Sequence, residues 1–359
     1  MAPKGTKCVA EYRWPATLPA LADPSLAHHG QFQQVLQVGF SHSHRFDSMS
    51  TLFQQFGQSL SELPWRAVTT SASLGCQLFG SRHTHPLGIL TYHRVIDRVP
   101  GMVFPEHNVS PERLGQQLEG MQARGYEFWS LKQLLSHASQ PTELHDRIAI
   151  ITFDDGYESV YLNAFPILKK LGIPATIFVA TQFLDGTDPF PFDDWGTNFH
   201  HQLPQSCYGP LTSDQCHEML DSQLIDLGAH THTHQDFRGH PQQFRSDLAE
   251  NVNILRERFG LGDVSFAFPY GCPYRGYASE ALIEQAMLAG VTCSLTTEAI
   301  PVDVETDPFH WGRFNVFSWD NAASLAAKIE GWYEWAPRLR RRVFRTAHPS
   351  QAPDPKSGL

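Results

Sequence analysis

Nowhere in its 359 residues does the chain run through apolar side chains for the ~20 positions that a membrane-spanning helix requires. Basic charge is scarce too: 27 Lys and Arg stand against 37 Asp and Glu, a formal net charge of -10. Phosphate neutralisation needs clustered cations, so nucleic acid is not an expected partner. Paired cysteines are missing. The six lie at positions 8, 76, 207, 216, 272 and 293 with no Cys-x-x-Cys spacing. They read as free thiols of a reducing compartment, with a Cys207–Cys216 bridge across one loop left open. No apolar run of secretory length follows Lys4 and Lys7, where Glu11, Arg13 and several prolines intervene. The expected location is therefore the cytoplasm. What is present, 41% hydrophobic and 12% aromatic residues, suffices for a substantial core.

Patterning divides the chain in three. Residues 1–85 are rich in Gln, Ser, His and Pro and have poor periodicity, which predicts a loosely ordered extension. Within it, Leu52, Phe53, Phe56 and Leu60 share one face of a candidate helix over Met49 to Leu63. Residues 86–335 alternate strand and helix signals. Gly88 to Tyr92, Ile148 to Phe153 and Ala175 to Val179 are apolar, and the last two are rich in β-branched residues, as buried parallel strands are. Helical patterns occupy the segment opened by Ser110 and Pro111 and the ranges 158–171, 214–221, 241–259, 278–289 and 321–335. Further strands are expected at Leu224–Ala229, Ser265–Phe268 and Val291–Thr296. Residues 183–213, rich in Asp, Pro, Gly and aromatics, read as an irregular insertion. The fold class is α/β, a distorted (β/α) barrel of about seven strands. Residues 336–359 form a basic tail with Arg338, Arg340, Arg341, Arg342 and Arg345.

Chemistry concentrates at two strand ends. Asp154 and Asp155 follow the strand ending in Phe153, and Gly156 lets the chain turn. Two adjacent carboxylates at the tip of a buried strand are costly without a cation or donors beside them. Their side chains diverge, so one can hold a metal while the other faces a reacting water. An Asp-Asp-Gly turn that caps the next helix would look the same locally. The stretch His230-Thr231-His232-Thr233-His234 also follows a strand and should open on the same barrel face. Two imidazoles and one carboxylate make a catalytic zinc set with a position left for water. Spacing alone does not choose which two of the three histidines bind.

Thr152 to Gly156 and His230 to His234, about 75 residues apart, resemble the first two signature motifs of the NodB-like polysaccharide deacetylase family. The resemblance spans roughly residues 86–320. It implies that Asp155, His230 and His234 hold the metal, that Asp154 is the base, that Thr231 steadies the histidine loop, and that His232 is a bystander. Phe268-Pro269-Tyr270-Gly271 resembles the third motif, a wall of the substrate groove, with the Tyr270 backbone N–H as an oxyanion donor. The arginine usual two places before the proline is Ala267 here. Tyr92-His93-Arg94 and Arg313-Phe314-Asn315-Val316 resemble elements of the poly-N-acetylglucosamine deacetylase subgroup. Arg313 is then the expected source of the missing positive charge beside Asp154. The late histidine that serves as general acid is not evident. His93 is a candidate for the acid or for holding a carboxylate, and His310 lacks the usual setting.

The implied function is metal-dependent hydrolysis of N-acetyl groups on an amino-sugar glycan or oligosaccharide. Zinc leads among the metals, with cobalt or nickel suited to the same donors. Phe190, Phe192, Trp195 and Phe199 either line a sugar-stacking cleft or pack the insertion onto the barrel. Two alternatives stand beside this reading. One is a hydrolase of the same fold acting on another linear or cyclic amide C–N bond. The other is a non-catalytic carbohydrate-binding relative.

Overall fold

Three strands without a single exposed position set the architecture: β1 (Leu87–Tyr92), β5 (Ile148–Phe153) and β6 (Ala175–Val179). Strands buried on both faces need cover from helices on one side and from a closed interior on the other. The structure, a computed structural model, describes residues 66–139 and 146–335. All pairings in its main sheet are parallel, in the order β10-β1-β5-β6-β7-β8-β9. Here β7 is Ile225–Ala229, β8 Phe266–Ala267, β9 Ser294–Leu295 and β10 Phe314–Asn315. A parallel bridge from Leu295 to Trp311, reinforced by Thr296 N–H donating to the Trp311 carbonyl at 2.9 Å, brings β9 round to the segment entering β10. The sheet thus curls into the distorted seven-strand barrel that the alternation predicts. A short extra strand, β4 (Glu127–Trp129), pairs the first half of β5, whereas β6 pairs the second half.

Side-chain alternation sorts the core into two layers. Leu90, Tyr92, Ile151, Phe153, Ile177 and Val179 pack outward, with Leu114 and Leu118 of the helix Pro111–Gln122 and Leu248 and Leu255 of the helix Pro241–Phe259 in the same cluster. Leu87, Ile89, Ile148, Ile150, Phe178, Leu295 and Trp311 fill the interior. The inward row of β5, Ile148, Ile150 and Thr152, continues at the next alternate position into Asp154.

Most helices fall where the periodicity puts them, and Pro241–Phe259 does so to the residue. The segment expected as one helix over 158–171 opens with a π-helical turn at Val160–Ala164 before Phe165–Leu171. Strands expected at Ser265–Phe268 and Val291–Thr296 shrink to two residues each, because pairing with short neighbours sets their length. β4, the helix Leu131–Ser139 and the pair β2 (Arg94–Val95) and β3 (Asn108–Val109) have no counterpart in the sequence reading. Residues 66–79, within the expected extension, are helical and pack Ala72 against Ala327 and Tyr333. The candidate helix Met49 to Leu63, Cys8 and the basic tail lie outside the described residues. Cys76, Cys207, Cys216, Cys272 and Cys293 are free thiols, so no Cys207–Cys216 bridge forms.

Candidate metal centre

β5, β7 and β8 end on one rim of the barrel, and the loops that follow them supply the polar cluster. Asp155, directly after β5, takes a left-handed backbone with φ 72°. Its Oδ1 lies 3.3 Å from His230 Nε2 and 3.4 Å from His234 Nε2. All three residues are buried, and their ligating atoms fall within 4.8 Å of one another. Tetrahedral coordination at about 2.0–2.2 Å places neighbouring donor atoms roughly 3.3–3.6 Å apart. The donor set and its spacing therefore fit a divalent cation.

His230 is aimed from behind. Its Nδ1 lies 2.8 Å from the Ala267 carbonyl, which can only accept, so Nδ1 carries the hydrogen and Nε2 keeps its lone pair for the cluster. Asn251 Oδ1 accepts from the His230 N–H at 2.9 Å, while its Nδ2 donates to Thr181 Oγ1 at 2.7 Å. Asp247, one helical turn earlier, accepts from the His232 and Thr233 N–H groups at 2.6 and 3.1 Å and from the Thr233 hydroxyl at 2.6 Å. Thr231 Oγ1 accepts from the His234 N–H at 3.1 Å. Neither Asp247 nor Asn251 stands out in the motif reading. The signal for Asn251 is its place in the buried stripe of its helix beside Leu248, Val252 and Leu255, where an amide must have partners.

Backbone strain marks the same rim. Six non-glycine residues among those described have positive φ, and four of them are Asp155, Thr231, His234 and Tyr270. A β-branched residue such as Thr231 at φ 61° is held there only by surroundings that over-determine it.

Asp154 points inward from the same strand end. Arg313, with no exposed surface, grips it as a fork: Nη1 to Oδ1 at 2.7 Å and Nη2 to Oδ2 at 2.8 Å. The guanidinium also donates to the Thr152 hydroxyl and the Thr296 carbonyl, both at 3.3 Å. It enters from the segment before β10, which only β9 separates from Ala267 of β8. Burial alone would raise the Asp154 carboxyl, but the Arg313 charge outweighs it and holds the group below its ordinary value. Burial likewise opposes ionisation of Asp155, yet the His230 and His234 imidazoles beside it keep it well below the ordinary range.

His93, at the tip of β1, stacks on His107 with ring centroids 4.7 Å apart. Burial and His107 push it down to about 4, against the pull of Asp155 and Asp154. At neutral pH it is an unprotonated imidazole. His107 has no part in the sequence reading; only the fold brings it beside His93. Tyr270 sets its ring edge-on to His234 at 5.1 Å. His310 pairs with Glu280 at 3.3 Å and His232 with Thr181 at 3.0 Å, so neither joins the cluster. The insertion aromatics pack: Phe190 is 1% exposed against Tyr157, Phe192 lies on His234, and Trp195 Nε1 donates to the Val103 carbonyl at 2.7 Å.

Residues 142–293 match the family model described as polysaccharide deacetylase. A poly-beta-1,6-N-acetyl-D-glucosamine N-deacetylase of Staphylococcus epidermidis is 27% identical over 201 residues, covering 51% of this chain and 64% of the relative. The chain thus spans less than two thirds of that protein's length. Among solved structures, IcaB from Ammonifex degensii superposes with a TM-score of 0.54 at 25% identity, covering 68% of this chain and 97% of the other. The Streptococcus pyogenes deacetylase PplD in complex with acetate gives 0.55 at 20% identity over 68% and 97%, which supports the fold.

Proposed function

We propose, from the match of residues 142–293 to the polysaccharide deacetylase family model, that the chain hydrolyses N-acetyl amides of an amino-sugar glycan in a metal-dependent reaction. One observation carries the reading: a buried Asp155–His230–His234 donor set beside a second, arginine-held carboxylate, Asp154. The substrate class is suggested by relatives named for poly-beta-1,6-N-acetyl-D-glucosamine.

In this proposal Asp155, His230 and His234 hold the cation, zinc first, with cobalt or nickel accepted by the same nitrogen and oxygen donors. When bound, it supplies Lewis-acid polarisation of the acetamide carbonyl and a more acidic water. Asp154 takes a proton from the water as its oxygen attacks the carbonyl carbon. Arg313 does not consume that capacity, since a carboxylate offers about four lone-pair sites and the fork uses two. The Tyr270 backbone N–H is the donor assigned to the developing oxyanion. His93, neutral at rest, relays to the departing amine the proton that Asp154 has taken. The C–N bond breaks, leaving acetate and a free amino sugar. The usual third-motif arginine and the late acid histidine are both missing, which favours a non-catalytic relative; the Arg313 fork on Asp154 supports the catalytic reading on the first count.

Acetate release from β-1,6-linked and β-1,4-linked N-acetylglucosamine oligomers tests the proposal. Metal-stripped protein should be inactive, and zinc or cobalt should restore turnover. Asp154→Asn should lower turnover by about 10²–10⁴-fold, the usual contribution of a general base. Turnover by stripped protein, or full turnover by Asp154→Asn, would refute it.

A further inference from the structure

His230 and His234 are held in place by different means. A metal-binding imidazole usually donates its second nitrogen to a carbonyl or carboxylate, which fixes the ring. His230 does so through Ala267. The buried Nδ1 of His234 has no hydrogen-bond partner among the described residues. Its ring is instead pressed by packing: Phe192 lies flat on it, with centroids 3.6 Å apart and planes 22° apart. Phe192 belongs to the 183–213 insertion, which is expected to be irregular but folds a short helix, Asp194–Phe199, two residues after it. Something must hold that insertion firmly for a stacked phenyl ring to fix an imidazole.

Next to Phe192 in sequence, Asp193 forms an ion pair with Arg94, the first residue of β2, and their side chains are 7% and 4% exposed. The guanidinium lies between the rings of Tyr157 and Trp195, at 4.4 and 4.9 Å from their centroids. A Cβ on Gly196 would stand 2.5 Å from Asp193 Oδ2, so only glycine leaves the carboxylate its seat. Desolvating both charges is expensive unless geometry and packing repay it. The sandwich, the glycine seat and the adjoining Phe192–His234 stack give the pair a purpose beyond stability.

We infer that the Arg94–Asp193 pair latches the insertion onto the barrel so that Phe192 holds metal ligand His234 in its binding orientation. Arg94, Asp193 and Phe192 are thus positioning residues for the metal site. The inference rests on the metal-centre reading above.

The test is made with Co2+, using chelator competition for affinity and the visible ligand-field spectrum for geometry, on the full chain and on Asp193→Asn, Phe192→Leu and their double variant. Loss of an outer-shell partner typically weakens metal affinity by about 10–100-fold. Each single variant should fall in that range with an altered spectrum, and the double should be no weaker than the worse single. If Asp193→Asn fails to fold, Arg94→Lys, which keeps the charge but loses the planar fork, should show the same loss. A latch that is only structural would lower the urea midpoint and leave Co2+ affinity and spectrum as in the parent. That result, or independent multiplicative effects of the two substitutions, overturns the inference. A parent protein that binds no Co2+ overturns the metal centre and the latch together. Tight Co2+ binding without acetate release sinks only the deacetylase reading.

Discussion

Asp154 and Asp155 are neighbours in sequence that end in different electrostatic settings, and the difference follows from strand alternation. Asp154 continues the inward row of β5 and meets Arg313 inside the barrel, while Asp155 turns through a left-handed backbone towards two imidazoles. The Arg313 fork does two things at once. It keeps Asp154 ionised despite burial, and it lowers the group's basicity. Replacing Arg313 with Met should therefore shift the acid limb of the kcat/KM profile to higher pH. An adjacent arginine lowers an aspartate by about 1–3 pH units, so a shift of that order is expected. An unmoved limb would show that the fork does not tune the base. Stability obeys the same linkage. A carboxyl held below its unfolded value stabilises the fold above that value, and the contribution is lost as pH falls through the folded pKa. Removing one partner of a buried pair typically costs about 3–5 kcal/mol. The stability gap between parent and Arg313→Met, from urea unfolding, should be of that order at pH 7 and narrow only below about pH 4, as Asp154 of the parent protonates.

Among the elements, the helix Pro241–Phe259 does the most to shape the site without touching the candidate cation. Asp247 and Asn251 sit one turn apart and between them anchor the backbone N–H groups of His230, His232 and Thr233. Asn251→Leu removes an acceptor from the buried His230 N–H and leaves the Thr181 hydroxyl and Val179 carbonyl without their amide donor. The His230 N–H keeps the Val179 carbonyl at 3.3 Å and the Thr181 hydroxyl keeps His232 Nδ1 at 3.0 Å. Each lost hydrogen bond therefore costs about 0.5–1.5 kcal/mol, and outer-shell losses weaken metal binding by about 10–100-fold. Both effects should appear in urea unfolding and Co2+ titration, and a variant normal in both would remove the bracing role from this helix. This element also shows what was legible beforehand. Its limits follow from periodicity, and the Asp-Asp-Gly and His-x-x-x-His stretches follow from residue type at strand ends, because each is a local pattern. Partners across the barrel are not local: Arg313 is expected beside Asp154 only through the family resemblance, and His107 and Asp193 meet their counterparts only after the barrel closes. The same holds for β8, β9 and β10, two residues each, whose extent is decided by neighbouring strands rather than by their own side chains.

At the scale of the whole molecule, chemistry and support lie at opposite ends of the strands. The carboxyl ends of β1, β5 and β7 carry His93, Asp154, Asp155 and the histidine loop. At the other end, the helical residues 66–79 meet the end of the helix Ala322–Ile329 beside Arg147, which precedes β5. Glu330, 5% exposed, gathers that end: its carboxylate accepts from Cys76 Sγ at 2.7 Å, Tyr126 OH at 3.0 Å and Arg147 Nε at 3.3 Å. Burial and the hydrogen bond to Glu330 push the Cys76 thiol up to about 12, so it remains a donor across the working pH range. Close approach of the helix depends on Gly75, where a Cβ would stand 2.5 Å from the Trp332 ring. Gly75→Leu must push the helix outward, loosening Ala72 from Ala327 and Tyr333. Overpacking of this kind costs about 1–3 kcal/mol. In (β/α) barrels the end opposite the active-site loops contributes stability rather than catalysis. The variant should therefore unfold at lower urea concentration while Co2+ affinity and kcat/KM stay at parental values. A fall in either would mean that strain at the helix end reaches the far rim, and the separation of support from chemistry would have to be abandoned.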